Sequence, residues 1–178
     1  MKKQTLTAVL AAAMAAALVF AAVAVATTIR GTQGDDTLTG TDGPDTIIAK
    51  KGNDTVNALG GDDKVKAGRG TDAVNGGLGN DVLAGKADKD DVNGDDGDDF
   101  LAGGGDVDEL DGGIGNDTIK GRGDGNAADN IVCGDGIDTV KADKNDIVPA
   151  DGTCETVERT GKSGTHGNDK AKGPKETT

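Results

Sequence analysis

Aspartate recurs every nine residues through the middle of the chain. Cutting the sequence every nine residues from Gly31 gives ten blocks, and position six of every block is aspartate. These residues are Asp36, Asp45, Asp54, Asp63, Asp72, Asp81, Asp90, Asp99, Asp108 and Asp117. Aspartate fills only 20 of the 90 positions from 31 to 120, so composition does not explain ten matches in ten blocks. Carboxylates in such a row could carry acid–base chemistry, cap turns or bind a cation.

The preference for aspartate over glutamate favours a cation-binding role. The chain has 28 aspartates and only 4 glutamates. Aspartate tolerates turns and holds its carboxylate close to the main chain, and oxygen ligands of this kind suit calcium. Capping of turns through Asx hydrogen bonds is the alternative, but asparagine never replaces aspartate at position six. We therefore predict that these carboxylates bind calcium.

Other function classes lack the residues that they need. The only serine, Ser163, and the only histidine, His166, lie close to the C-terminus, so a Ser–His–Asp or Cys–His mechanism is incomplete. The net charge of −13 disfavours a nucleic-acid partner, because phosphates are repelled. We predict that the protein is not an enzyme. The alternative is a calcium-dependent enzyme, similar to a polysaccharide lyase, built on a parallel β-solenoid.

The rest of each block predicts how the carboxylates are positioned. Positions one to six are rich in glycine, aspartate and asparagine, which is typical of a turn. Position eight is Leu, Ile or Val in all ten blocks, and we expect it to point inward from a short strand over positions seven to nine. Two blocks then form one coil, and coils stacked about 4.8 Å apart give two parallel sheets around an aliphatic seam. The predicted class is all-β.

Two blocks carry the motif of a known family. The stretches "GGLGNDVLA" at 76–84 and "GGIGNDTIK" at 112–120 resemble the RTX, or haemolysin-type, calcium-binding nonapeptide G-G-x-G-x-D-x-U-x. The resemblance covers about residues 31–141. It implies a right-handed parallel β-roll with two half-turns per coil, calcium as the cofactor between adjacent turns, and folding that depends on calcium.

The resemblance also implies a set of metal ligands. These are the ten carboxylates of position six and the backbone carbonyls of the glycine-rich turns. After residue 120 the register slips by three residues, and the set continues with Asp129 and Asp138. The turn glycines included in the prediction are Gly77, Gly79, Gly97, Gly113 and Gly115.

Successive turns are expected to alternate between two edges of the roll. Turns of odd-numbered blocks form the odd edge, and turns of even-numbered blocks form the even edge. The first five positions of the odd-edge turns contain lysine and arginine, such as Lys50 and Arg69, whereas those of the even-edge turns contain none. We hypothesise that the even edge binds calcium better.

The two ends of the chain differ from the repeats. Residues 1–26 combine Lys2 and Lys3 with an apolar run, which predicts a secretory signal peptide, with a transmembrane anchor as the alternative. Residues 27–141 form the predicted roll, residues 142–160 a C-terminal cap, and residues 161–178 a flexible tail. In an exported protein Cys133 and Cys154 are expected to form a disulfide that ties the cap to the roll, with a metal site as the alternative.

These features predict a secreted, extracellular protein without stable membrane insertion once the signal is removed. The predicted partners are calcium ions, with an unidentified protein or polysaccharide at the cell surface as a candidate further partner. RTX toxins and proteases join the roll to a large effector domain. Here the roll fills nearly all of the predicted mature chain, so a toxin or protease role is not carried over.

Overall fold

A computed structural model describes residues 25–121, 127–150 and 153–160. The predicted signal peptide, apart from its last two residues, and the predicted tail lie outside the described residues. Every regular element in the described ranges is a β-strand. The strands are β1 (Thr28–Arg30), β2 (Thr37–Thr39), β3 (Thr46–Lys51), β4 (Thr55–Asn57), β5 (Lys64–Arg69), β6 (Ala73–Leu78), β7 (Val82–Ala87), β8 (Asp91–Asp96), β9 (Phe100–Gly104), β10 (Glu109–Asp111), β11 (Thr118–Lys120), β12 (Asn130–Val132), β13 (Thr139–Asp143) and β14 (Thr156–Thr160).

The strands form the two parallel sheets predicted from the period of nine. Eight strands pair in the order β1-β3-β5-β7-β9-β11-β13-β14, and six pair in the order β12-β10-β8-β6-β4-β2. Paired residues are 18 apart, as Val65, Leu83 and Leu101 show. Consecutive strands therefore lie in opposite sheets, and the chain winds as a parallel β-solenoid.

The core is a thin seam between the sheets. Position eight is buried in every block from Ile47 to Ile119, and Leu38 in the first block is partly buried. Positions seven and nine face outward, so that Val82 and Phe100 remain 43% and 39% exposed. One aliphatic side chain per nine residues cannot stabilise a coil alone, and stability comes from stacking coils.

The C-terminal end continues the stacking with altered spacing. The register step is 21 residues between Ile119 and Val140, and 17 residues between Val140 and Val157. Thus β14, in the segment predicted as a cap, lies parallel to β13 in the eight-stranded sheet. The predicted disulfide is confirmed: Cys133 and Cys154 are bonded, with 5.4 Å between their Cα atoms.

Candidate metal centre

The position-six aspartates form two buried ladders, one along each edge. All are buried from Asp45 onward, including Asp129 and Asp138, whereas Asp36 at the start is partly exposed. From Asp54 onward, the first carboxylate oxygen, Oδ1, accepts the backbone N–H of the aspartate one coil earlier. On the even edge Asp63 donates to Asp81 over 2.8 Å, and Asp81 donates to Asp99 over 2.7 Å. Each carboxylate from Asp54 onward therefore joins two coils, so simple capping of its own turn does not describe it.

The second carboxylate oxygen has a different environment. In the part of the chain that the structure describes, eight of these Oδ2 atoms are buried and accept no hydrogen bond. They belong to Asp54, Asp63, Asp72, Asp81, Asp90, Asp99, Asp117 and Asp138. Burying a carboxylate oxygen without a partner is costly, and a cation is a partner that would satisfy it.

Backbone carbonyls of the turns are a second source of oxygens. From block three to block ten, positions two and four all have left-handed φ angles. A β-carbon on Gly79 would lie 2.4 Å from the carbonyl oxygen of Gly61, one coil earlier. A β-carbon on Gly113 would likewise lie 2.1 Å from the oxygen of Asp95. These carbonyls therefore point along the axis of the roll, and the glycines leave room for them.

All five glycines predicted as site residues lie in such turns. Gly77, Gly79, Gly97, Gly113 and Gly115 have φ between 99° and 144°. The blocks that lack glycine at position four keep the same conformation: Asp88 has φ 73° and Asp106 has φ 68°. Left-handed backbone costs a non-glycine residue roughly 1 kcal/mol, but aspartate tolerates it better than most residues. Loss of glycine at position four has therefore not changed these turns.

Position five forms a second ladder that the sequence analysis missed. Asn80 donates its backbone N–H to Asp62 Oδ1 at 3.0 Å, and Asp98 donates to Asn80 Oδ1 at 2.8 Å. These side chains reach the following coil, whereas the position-six side chains reach the preceding one. In the sequence, this ladder was visible as the alternation of Asp and Asn at position five of the even-edge turns. The position-five ladder is exposed, so its side chains lie outside the buried row of oxygens.

Burial dominates the electrostatics of the position-six carboxyl groups. It raises the pKa of Asp90 from 3.8 to about 8 and that of Asp99 to about 7. The pKa values of Asp63, Asp72 and Asp117 rise to about 6. The backbone hydrogen bond to Oδ1 lowers each pKa, and neighbouring carboxylates raise it again, but loss of water is the largest cause. The ladders are therefore difficult to ionise without a compensating positive charge.

The oxygens fit a hard divalent cation that uses both side chains and backbone. Within the described ranges, no three acidic, histidine or cysteine side chains form a metal-binding group by themselves. A bound ion must therefore combine carboxylate oxygens with turn carbonyls. Calcium accepts six to eight oxygens in flexible geometry, so it suits such a mixed set.

Comparison with known proteins gives one match. The family model of the RTX calcium-binding nonapeptide repeat (4 copies) matches residues 30–65, 51–83 and 84–119, which together cover half of the chain. Comparisons with curated proteins and with solved structures find no match. In the described part of the chain, no helix has the length and apolar character needed to cross a membrane. The repeat, the solenoid and the family match agree, and the chain belongs to the family of RTX calcium-binding nonapeptide repeat proteins.

Proposed function

We propose that this chain is a secreted calcium-binding repeat protein that folds on binding calcium and has a structural role in a surface or matrix assembly. The observation that carries the proposal is the row of buried Oδ2 atoms without a hydrogen bond on each edge of the roll. Such a row is unfavourable in a finished fold, and a cation at each step removes the cost.

The ligands that we propose are the predicted ones. Position-six carboxylates such as Asp81 and Asp99 would offer Oδ2, while Oδ1 keeps its hydrogen bond to the preceding coil. Turn carbonyls such as those of Gly79 and Gly97 would complete the oxygen set. The ion supplies positive charge between carboxylates that repeat about every 4.8 Å along the roll.

We expect folding to depend on calcium because the roll buries little apolar surface and much negative charge. The seam buries one aliphatic side chain per block, with small alanines such as Ala49 and Ala67 beside it. Against this limited burial stand two rows of buried carboxylates and a net charge of −13. Because the unfolded chain has no preformed site, the free energy of calcium binding adds to the free energy of folding.

A structural role suits the carboxylates better than catalysis does. From Asp54 onward the repeated aspartates share the same burial and the same kind of hydrogen-bond partner, the backbone N–H of the aspartate one coil earlier, whereas an acid–base site needs one or two groups set apart from their neighbours. Secretion is proposed from residues 1–26, whose composition is that of a signal peptide.

Far-UV circular dichroism of residues 27–178 across a calcium titration tests the proposal. We expect a disordered spectrum in excess chelator and a cooperative change to a β spectrum as calcium is added. Magnesium serves as the control, because it demands near-octahedral geometry and releases its waters reluctantly. A chain that is equally folded in excess chelator would refute folding on calcium, and isothermal titration that shows no calcium binding would refute the function itself.

A further inference from the structure

The first two turns of the roll differ from all the later described turns of the ten blocks. Turn one contains "GTQGDD" (31–36) and turn two contains "GTDGPD" (40–45), and only these two blocks have threonine at position two. Positions two and four of both turns lie outside the left-handed region that every turn from block three to block ten adopts. The backbone of these two turns therefore differs in conformation from that of the later turns.

In these two turns the threonine satisfies the carboxylate. The backbone N–H of Thr32 donates to Asp36 Oδ2 at 2.6 Å, and the Thr32 hydroxyl lies 3.1 Å from the same oxygen. Thr41 repeats the arrangement on Asp45 Oδ2, at 2.6 Å for the N–H and 3.0 Å for the hydroxyl. The oxygen that lacks a partner in later turns is thus hydrogen-bonded twice here.

The same threonines also close the backbone of the turn. The Thr32 hydroxyl accepts the N–H of Gly34 at 3.2 Å, and the Thr41 hydroxyl accepts the N–H of Gly43 at 3.2 Å. Side-chain hydroxyls commonly stabilise turns in this way. Each of the two turns is therefore complete without a metal ion.

A lysine adds a resident positive charge on the odd edge. The Lys50 ammonium donates to the carbonyl oxygen of Gly31 in turn one. In the next turn of the same edge, the corresponding carbonyl oxygen of Ala49 lies 2.5 Å from the place that a β-carbon on Gly31 would take. The carbonyl of turn one, the first turn of this edge, is instead bonded by the ammonium.

We propose that the first coil, residues 31–48, is a starter coil closed by Thr32 and Thr41, and that calcium is bound only from the third turn onward. The inference rests on the proposed calcium function and restricts it, since Asp36 and Asp45 then cap turns instead of binding metal. A stacked repeat needs a terminal unit that is stable against solvent, and a coil with satisfied carboxylates meets this need.

Calcium counting in matched variants tests the proposal. Asp36→Asn and Asp45→Asn keep an oxygen for the threonine N–H, and we expect both to bind as many calcium ions as the unsubstituted protein. Asp54→Asn and Asp63→Asn alter the next turn on each edge, and we expect each to lose at least one ion. The count is measured by equilibrium dialysis with atomic absorption, after circular dichroism in calcium has confirmed folding.

The outcomes separate this inference from the proposed function. A reduced count in Asp36→Asn or Asp45→Asn overturns the starter coil but leaves calcium binding intact. An unsubstituted protein that binds no calcium refutes the function on which the inference rests. If Asp54→Asn or Asp63→Asn fails to fold, the first pair still decides, since each must keep the full count.

A separate measurement tests the role of the two threonines. The double substitution Thr32→Val and Thr41→Val removes both hydroxyls but keeps the side-chain shape. We expect an unchanged calcium count and a lower midpoint of thermal unfolding in calcium, because the two turns lose their closing bonds. Loss of bound calcium in this variant would place the hydroxyls among the metal ligands and would overturn the proposal.

Discussion

Substitution of Gly76 by alanine tests the proposed oxygen site without straining the backbone of the turn. Gly76 is position one of block six, and its φ lies outside the left-handed region, so alanine introduces no backbone strain there. The added β-carbon would lie 2.4 Å from Asp81 Oδ2 and 2.8 Å from the carbonyl oxygen of Gly94. Asp81 Oδ2 is a proposed calcium ligand of the even edge, and Gly94 begins the next turn of that edge.

The size of the effect follows from these distances. Real β-carbons do not approach another atom within 3.0 Å, so the added methyl group and Asp81 Oδ2 must separate by 0.6 Å. Blocks three to five already have alanine at this position (Ala49, Ala58 and Ala67) beside buried carboxylates, so the roll accommodates the methyl group at a modest cost. This cost lies at the lower end of that for overpacking, about 1 kcal/mol. We expect calcium binding at this step to weaken by about 5-fold, since each 1.4 kcal/mol is about tenfold.

Isothermal titration and thermal unfolding in calcium measure this effect. The matched control is Gly60→Ala on the same edge, because a β-carbon on Gly60 would meet its nearest atoms only at 3.8 Å. The midpoint of Gly76→Ala should fall by about 4–8 °C for each kcal/mol lost, while Gly60→Ala should remain close to the unsubstituted protein. If the two variants give the same titration and the same midpoint, the assignment of Asp81 Oδ2 and its neighbours to the metal is wrong.

Three further predictions concern pH, the two edges and the disulfide. The pKa values of Asp90 and Asp99 are raised to about 8 and about 7, so the calcium-free fold is stabilised below the unfolded pKa near 4 and loses this stability as pH rises through 7–8. Circular dichroism of metal-stripped protein should show more structure at pH 4 than at pH 9, and a signal that rises with pH would contradict the burial argument. Asp81→Ala on the even edge should lose more calcium affinity in titrations than Asp90→Ala on the odd edge, and equal losses would remove the proposed difference between the edges. Cys133→Ser with Cys154→Ser opens a 21-residue separation and should lower the free energy of unfolding in calcium by about 3 kcal/mol, measured by urea denaturation, whereas an unchanged value would show that the cross-link adds no stability.

Most of the fold could be predicted because it depends on the strict period. Side chains alternate along a strand, so an aliphatic at position eight and turn residues at positions one to six determine which side faces the seam. The burial of Leu83 and the exposure of Val82 follow directly. The disulfide was also predictable, since only two cysteines were available.

The site was less predictable because its hydrogen bonds join coils that are 18 residues apart. The period placed the aspartates in a row, but it did not show that Oδ1 bonds to the preceding coil and leaves Oδ2 without a hydrogen bond. The closed turns at Thr32 and Thr41 were missed, because a threonine at position two can donate to the Oδ2 atom of its turn without changing the period of nine. The parallel pairing of β14 was missed because Glu155 takes the ladder position of an aspartate, where its Oε2 accepts the N–H of Asp138 at 2.7 Å.

The hydrogen bonds of the ladders persist where the number of residues per coil changes. Asp108 donates to Asp129 at 2.9 Å and Asp117 donates to Asp138 at 2.8 Å, although both separations are 21 residues instead of 18. Both ladders therefore continue from the residues before Gly121 to those after Ala127 despite the three extra residues. The contact geometry thus depends on the stacking of coils and tolerates a change in the length of the chain between them. A peptide inserted between Gly121 and Ala127 should therefore leave both ladders unbroken, which makes this position a graft site for affinity tags or epitopes.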